Sequence, residues 1–157
     1  MDVDRIRISA MTEADLRDVL TIEGLSYSTP WNEGMFRSEL SLDLSHNFTA
    51  KLNLNGTGDV LVGYVCFWLL QGEAHLLNIA VQPEYRRMGL GASLMRFFID
   101  FCRTKKAKIL TLDVRSSNYP AIGMYRKMGF RKEGIRLRYY ADHDEDALIM
   151  GLKLNEG

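Results

Sequence analysis

A mixed α/β fold is what this sequence predicts, with a mostly antiparallel central sheet, helices on both faces and one parallel strand-helix-strand unit at its centre. Three observations lead there. The segments 46–52, 60–70 and 75–81 are strand-like runs joined by short links, and short links make neighbouring strands antiparallel, because a parallel pair needs a crossover. After the third of these, Leu90, Leu94, Phe97, Phe98 and Phe101 fall at helical spacing, which supplies such a crossover to a strand at 109–114. The chain has 157 residues, 46% of them hydrophobic and 25% charged, enough for one core and one domain over 1–157.

The elements follow in order. Residues 5–9 alternate and read as a strand. Thr12 then caps a helix running to about Ser26, with Asp15 partly supplying the reciprocal capping contact and Met11 reaching Leu16 as a hydrophobic staple. Leu16, Val19, Leu20 and Glu23 mark the repeat of this helix, and its charged members are expected to face water. Thr29-Pro30-Trp31-Asn32 interrupts the chain: Pro30 disfavours a helical residue before it, and Asn32 can cap a short helix carrying Phe36 and Leu40. Asn55-Gly56 is a turn, and Gln71-Gly72-Glu73 links the strands on either side of it. Pro83 stops the strand 75–81. A helix over 118–128, closed by Gly129, separates strands at 109–114 and 131–139, and a last strand covers 147–152.

Composition narrows the function. Lys plus Arg number 20 and Asp plus Glu number 20, and there is no basic stripe or zinc-finger spacing, so no direct nucleic acid requirement is expected. No run reaches the apolar length of a membrane span, and residues 1–7 alternate charge with apolarity, unlike an export signal. Cys66 and Cys102 lie in apolar stretches and read as buried free thiols, which suits a reducing, cytoplasmic setting. No metal cluster is expected.

The strongest local signal is Gln82-Pro83-Glu84-Tyr85-Arg86-Arg87-Met88-Gly89-Leu90-Gly91-Ala92, between an apolar strand and an amphipathic helix. Gly89 and Gly91 let a ligand approach the backbone, and the unpaired amides of a first helical turn, with the positive end of the helix dipole behind them, make a phosphate seat. Arg86 and Arg87 add charge, since a guanidinium can donate to two phosphate oxygens. The glycines are not followed by the Lys-Ser or Lys-Thr of a nucleoside-triphosphate loop, and the three-glycine dinucleotide spacing is incomplete.

With Arg86, Gly89 and Gly91 as its marks, this loop resembles the coenzyme A pyrophosphate loop of the GNAT (Gcn5-related N-acetyltransferase) superfamily. Further segments resemble the ribosomal-protein alanine N-acetyltransferases, the RimI group within it. These are Asn78-Ile79-Ala80-Val81, Val114-Arg115-Ser116-Ser117-Asn118, Ala121-Ile122, Met124-Tyr125, Gly129-Phe130, Tyr139-Tyr140 and Glu145-Asp146-Ala147. The resemblance is strongest over 75–152. It implies acetyl-coenzyme A as acetyl donor, no metal, and as acceptor the N-terminal alanine of a small-subunit ribosomal protein or another protein N-terminus. A monomer or weak dimer is expected.

Residue by residue, the resemblance implies that Ile79 and Val81 offer backbone groups to the pantetheine amides and that the amide near Ala80 or Val81 faces the oxyanion. The cradle would comprise Arg86, Arg87, Met88, Gly89, Leu90, Gly91 and Ala92. Asn118 resembles a polar residue near the pantetheine arm, and it is equally a helix cap. Tyr125 reads from its spacing as a core residue; the resemblance makes it the donor of a proton to the departing thiolate. Asp113 stands where the RimI group carries a Glu base, and the shorter side chain withdraws the carboxylate by about 1.5 Å, favouring a water relay. Its plain reading is a strand-end acid paired with Arg115 or solvent. Tyr139 and Tyr140 resemble the pair bordering the acceptor groove, and Asn78, Tyr27 and Trp31 join them as acceptor-wall candidates. Glu73, Glu84 and His75 are further acid or base candidates, His75 reading as a structurally satisfied histidine.

The reaction so implied is direct attack by an uncharged amine in a ternary complex. An N-terminal amine suits a weakened base, its intrinsic pKa being about 7.7–8.0 against about 10.4 for lysine. Two alternatives stand beside it: an acetyltransferase for small-molecule or lysine amines, and a non-catalytic coenzyme A-binding or interaction module.

Overall fold

In the computed structural model, residues 6–53, 56, 58–140 and 145–154 are described; Arg5 of the first expected strand and Asn55 of the expected turn lie outside them. The strands are β1 (Ile6–Ala10), β2 (Ser45–Asn53), β3 (Asp59–Leu70), β4 (Glu73–Val81), β5 (Ile109–Arg115), β6 (Arg131–Tyr140) and β7 (Glu145–Lys153). The helices are α1 (Leu16–Ser26), α2 (Glu33–Leu40), α3 (Leu90–Thr104) and α4 (Tyr119–Lys127). The strands form a seven-stranded sheet in the order β1-β2-β3-β4-β5-β7-β6. The described residues group into two units, one running up to Trp68 together with Leu77–Phe98, the other comprising Leu69–Leu76 and the residues from Ile99 onward.

In the first unit β1 pairs antiparallel with β2, from Ile6↔Leu52 to Ala10↔Phe48, and β2 pairs antiparallel with β3. Of the expected entry into the first helix, the reciprocal contact is present, the Thr12 amide donating to Asp15 Oδ2 at 2.9 Å, and Met11 and Leu16 are buried in the same cluster; a 3-10 turn, Glu13–Asp15, precedes α1. Asn32 Oδ1 likewise accepts from the Met35 amide at 2.9 Å. The expectation that the charged members of α1 face water fails for Glu23, which is 1% exposed; Asp15, in the turn before α1, is buried as well. Asp15 is compensated by Lys51 at 2.9 Å: burial pushes its carboxyl up, but Lys51 and the Thr12 donors outweigh that and hold it below its ordinary range.

The core on the α1 and α2 side gathers Met11, Leu16, Val19, Ile22, Phe36, Leu61, Tyr64, Cys66 and Ala80, with Trp31 tilted on Phe36 at 5.1 Å. α3 contributes Phe97 against Phe48 and Phe98 against Phe67, each at 4.7 Å. Gly63 of β3 is fixed by close backbone approach, because a Cβ there would stand 2.8 Å from the Ala80 carbonyl oxygen and 3.1 Å from Leu94. A main-chain oxygen in a sheet cannot swing aside. Gly63→Ala is therefore expected to cost about 1–3 kcal/mol, the usual range for overpacking. Equilibrium denaturation of the variant measures that loss, and a parent-like midpoint would contradict it.

In the second unit the first part of β4 runs parallel to β5, with Glu73↔Ile109 through Leu76↔Leu112, and α3 is the intervening helix in sequence. This is the predicted strand-helix-strand unit. β5 pairs antiparallel with β7, and β7 with β6, whose register slips between Arg136 and Tyr140. α4 begins under an Asn118 cap that accepts from the Ala121 amide at 3.4 Å, and it ends at Gly129 with φ +103°, a conformation glycine adopts without strain. β4 and β7 each start two residues earlier than the periodicity indicates, at Glu73 and Glu145. Among the described residues, no helix is long and apolar enough to cross a membrane.

Candidate active site

In the first unit the end of β4 and the loop after it collect most of the residues singled out from sequence. Glu23, reaching up from α1, is their common acceptor. Its Oε1 takes hydrogen bonds from the Tyr64 hydroxyl and from Asn78 Nδ2, the latter at 2.7 Å, and its Oε2 takes the Trp31 amide at 2.9 Å. A buried carboxylate is stable only when its oxygens are satisfied in this way. Here the three donors come from β3, β4 and the segment between α1 and α2, so Glu23 sets where Asn78 and Trp31 stand. Sequence reasoning missed it. The signal was its place in the repeat Leu16, Val19, Leu20, Glu23, a polar residue at an inward position. Tyr27, the other acceptor-wall candidate of this segment, donates its hydroxyl to the Ile79 carbonyl.

After Val81 the chain makes a 3-10 turn, Pro83–Tyr85, and reaches α3 through Arg86, Arg87, Met88 and Gly89. Two nitrogens of Arg86 are engaged, Nε with the Val81 carbonyl and Nη2 with Ser26 Oγ, both at 3.1 Å. In this arrangement Arg86 braces the loop. Arg87 has φ +65°, uncommon for a residue with a side chain, and its side chain is exposed, as is that of Met88. Gly89 has φ +81°, and a Cβ there would meet no atom of the chain within 4 Å. Its carbonyl accepts the Ser93 amide at 3.0 Å, so the amides of Leu90, Gly91 and Ala92 belong to the first turn of α3 and have no acceptor within the helix. Open space over a glycine, beside free amides at the positive end of a helix, fits a pyrophosphate.

In the second unit Asp113 of β5 is the centre. His75 Nε2 lies 3.5 Å from Oδ2 and Arg136 Nε 3.5 Å from Oδ1. The Arg136 separation is that of an ion pair, both separations are too long for good hydrogen bonds, and the buried Oδ1 has no hydrogen-bond partner. The plain reading of Asp113 is thereby revised. Arg115 pairs with Glu145 at 3.4 Å and lies 4.2 Å over the Tyr140 ring, so it is His75 and Arg136 that flank Asp113. His75 also reaches Thr111 Oγ1 through Nδ1, at 2.7 Å. Burial pushes its imidazole below the ordinary value, Asp113 opposes that, and Arg136 reinforces it. Glu73 and Glu84 are exposed.

Tyr125, on α4, is 5% exposed and packs beside Phe130 at 6.0 Å between centroids. Burial, with Tyr140 adding to it, pushes its phenol up to about 12, so the hydroxyl keeps its proton throughout the neutral range. Tyr140 is raised to about 12 too, by burial first and then by Asp113. Tyr139 stands edge-on to Tyr140 at 5.1 Å and is half exposed. The register slip in β6 accompanies this pair: Arg138 adopts φ +51°, and its amide is held by Asp146 Oδ1 at 2.9 Å. The Asn118 oxygen is used by the helix cap, which leaves its amide nitrogen for another partner. Cys66 and Cys102 are buried and free; burial raises both thiols, Cys102 to about 12 and Cys66 further. Neither is placed to carry an acyl group.

The Acetyltransferase (GNAT) family matches residues 16–130, which is most of the chain. This chain belongs to the GNAT family. The GNAT match runs from α1 to Phe130 and covers every candidate residue except Tyr139, Tyr140 and Arg136. A Bacillus subtilis (strain 168) protein, provisionally named a ribosomal protein bS18-alanine N-acetyltransferase, is 41% identical over 142 residues, covering 90% of this chain and 91% of that protein. The ribosomal protein bS18-alanine N-acetyltransferase of Escherichia coli (strain K12) is 36% identical over 150 residues, covering 94% and 97%. The crystal structure of the ribosomal-protein-S18-alanine N-acetyltransferase from Escherichia coli superposes with a TM-score of 0.85 at 34% identity, covering 97% of this chain and 96% of that one. The resemblance read from the sequence is thus shown, and the GNAT fold with it.

Proposed function

We propose that this chain transfers the acetyl group of acetyl-coenzyme A to the N-terminal α-amine of a protein, the N-terminal alanine of ribosomal protein bS18, in the cytoplasm. The observation that carries this reading is the likeness to the Escherichia coli bS18-alanine N-acetyltransferase in sequence and in fold over nearly the whole length of both chains. Acetyl-coenzyme A supplies the activated acetyl group when bound.

The residues divide the work. The amides of Leu90, Gly91 and Ala92, opened to a ligand by the bare backbone of Gly89, take the pyrophosphate, with Arg87 close by in sequence to add charge. The backbone of Ile79, Ala80 and Val81 serves the pantetheine arm and the developing oxyanion. Asn78 and Trp31, set by Glu23, and Tyr27, set on β4, are the acceptor-contact candidates of the first unit, and Tyr139 and Tyr140 are those of the second. Asp113 assists removal of the amine proton, and Tyr125, protonated at neutral pH, delivers a proton to the leaving thiolate. An α-amine needs little help to lose its proton, which suits an aspartate whose reach is shorter than a glutamate's.

The test compares acetyl transfer to two peptides carrying the bS18 N-terminal sequence. One begins with a free alanine; the other is blocked there and contains lysine. Faster transfer to the first is expected. Faster transfer to the blocked peptide would replace this reading with a lysine acetyltransferase, and binding of acetyl-coenzyme A without transfer to either peptide or to small amines would leave a binding module.

A further inference from the structure

We infer that His75 is the group that receives the proton the amine must lose, with Asp113 as its charge partner. This rests on the acetyl-transfer reading above and assigns the base within it. His75 is on β4 and Asp113 on β5, and the ladder that brings them together pairs His75 directly with Thr111, two residues before Asp113. The side chains of Thr111 and Asp113 therefore lie on one face of β5, and the imidazole is set against both.

The tautomer assigned to His75 takes up a chain of contacts through Thr111. Thr111 Oγ1 is 2.7 Å from His75 Nδ1 and 3.4 Å from the Ala74 carbonyl oxygen. We assign the threonine hydroxyl as donor to that carbonyl and as acceptor from Nδ1–H; the opposite assignment, Nδ1 accepting from the hydroxyl, is the outcome the nitrogen NMR below would reveal. A neutral ring protonated at Nδ1 has its lone pair on Nε2. That atom is 3.5 Å from Asp113 Oδ2, beyond the roughly 2.7–3.2 Å of a good hydrogen bond. Arg136 lies on the other carboxylate oxygen and keeps Asp113 turned to the pair.

The step balances. The ammonium N–H bond breaks, its electron pair stays on the amine nitrogen as the nucleophile, and the proton forms a bond to Nε2. The resulting imidazolium donates Nε2–H to Asp113 Oδ2, turning a gap between two acceptors into an ion pair. The ring is partly exposed and returns its proton to solvent between turnovers. The charged and titratable groups around the ring are Asp113 and Arg136; Tyr140 faces Asp113, and Arg115 and Glu145 face Tyr140.

Two measurements test this, one of them independent of activity. Nitrogen NMR of the parent protein above neutral pH is expected to show an unprotonated Nε2 and a protonated Nδ1 at His75. The imidazole midpoint should fall by about one unit in Asp113→Asn and rise in Arg136→Gln, since Asp113 stabilises the charged ring and Arg136 opposes it. A protonated Nε2 in the neutral ring, or a midpoint indifferent to Asp113→Asn, overturns the assignment even if the protein acetylates nothing.

The second measurement is the pH dependence of transfer to the alanine peptide. In His75→Gln the rate should follow the amine's own titration, so that the ratio of variant to parent falls about four- to sixfold from pH 8 to pH 7, with the KM for acetyl-coenzyme A unchanged. A ratio that stays flat over that range overturns the role of His75 while leaving the acetyltransferase reading intact. Should His75→Gln fail to fold, Asp113→Asn and Arg136→Gln still decide the matter through the midpoints.

Discussion

Tyr125→Phe is expected to slow acetyl transfer about 10- to 1000-fold at saturating acetyl-coenzyme A and peptide, with fold and donor binding preserved. The substitution removes one hydroxyl and keeps the ring that packs beside Phe130. A general acid contributes typically about 100- to 10,000-fold, and the lower range is expected here because a thiolate leaves readily with little help. The hydroxyl is protonated at working pH, its phenol being raised to about 12 by burial, so it is available as a donor. No hydrogen bond commits it to another group among the described residues. If Tyr125 served only packing, the phenylalanine variant would turn over like the parent. Single-turnover transfer, read beside a binding titration and a thermal melt, separates the two. Parent-like turnover rules out the proton-donor role; slow turnover with unchanged binding and melting supports it.

Gly89→Val should act on donor binding, raising the apparent acetyl-coenzyme A requirement at least about tenfold. Gly89 sits at φ +81°, where a residue with a Cβ is strained by about 1–2 kcal/mol, and a β-branched one is worse placed. That strain alone depopulates the turn about 5- to 30-fold. Nothing in the chain lies within 4 Å of the added Cβ, so the core is not crowded and the melting temperature should fall only by the roughly 2–8 °C that the backbone strain accounts for. The new methyl groups instead occupy the space through which a pyrophosphate must approach the amides of α3. Gly89→Ala, which carries much of the backbone strain and little bulk, is expected to fall between the two. A folded Gly89→Val protein that binds acetyl-coenzyme A as the parent does would mean that this turn is not the cradle.

Much of the fold was legible because its signals are local. Thr12 with Asp15, Asn32 and Asn118 act on amides a few residues away, so their caps can be read from a short stretch of chain and are present as expected. The crossover from β4 through α3 to β5 follows from one strand-like run, one helical repeat and the length between them. Gly89 behaves likewise, since a left-handed turn before a helix is a property of the backbone itself.

Glu23 and Asp113 belong to the other class. Helical spacing put Glu23 on the inward stripe of α1, but a carboxylate survives burial only if donors meet it, and these come from Tyr64, 41 residues on, and Asn78, 55 residues on. Nothing near Glu23 in the chain announces them. In the same way the neighbour that the sequence offers Asp113 is Arg115, whereas the register of β4 on β5 brings His75 to Thr111, 36 residues away, and so to the carboxylate. The amino-acid order by itself determined the family, the strand and helix pattern and the left-handed turn before α3, each written in short-range spacing and backbone chemistry. Which charges are buried, and which groups they face, was decided only by tertiary structure, because the energy of a buried charge depends on partners that strand register and helix packing alone bring within reach.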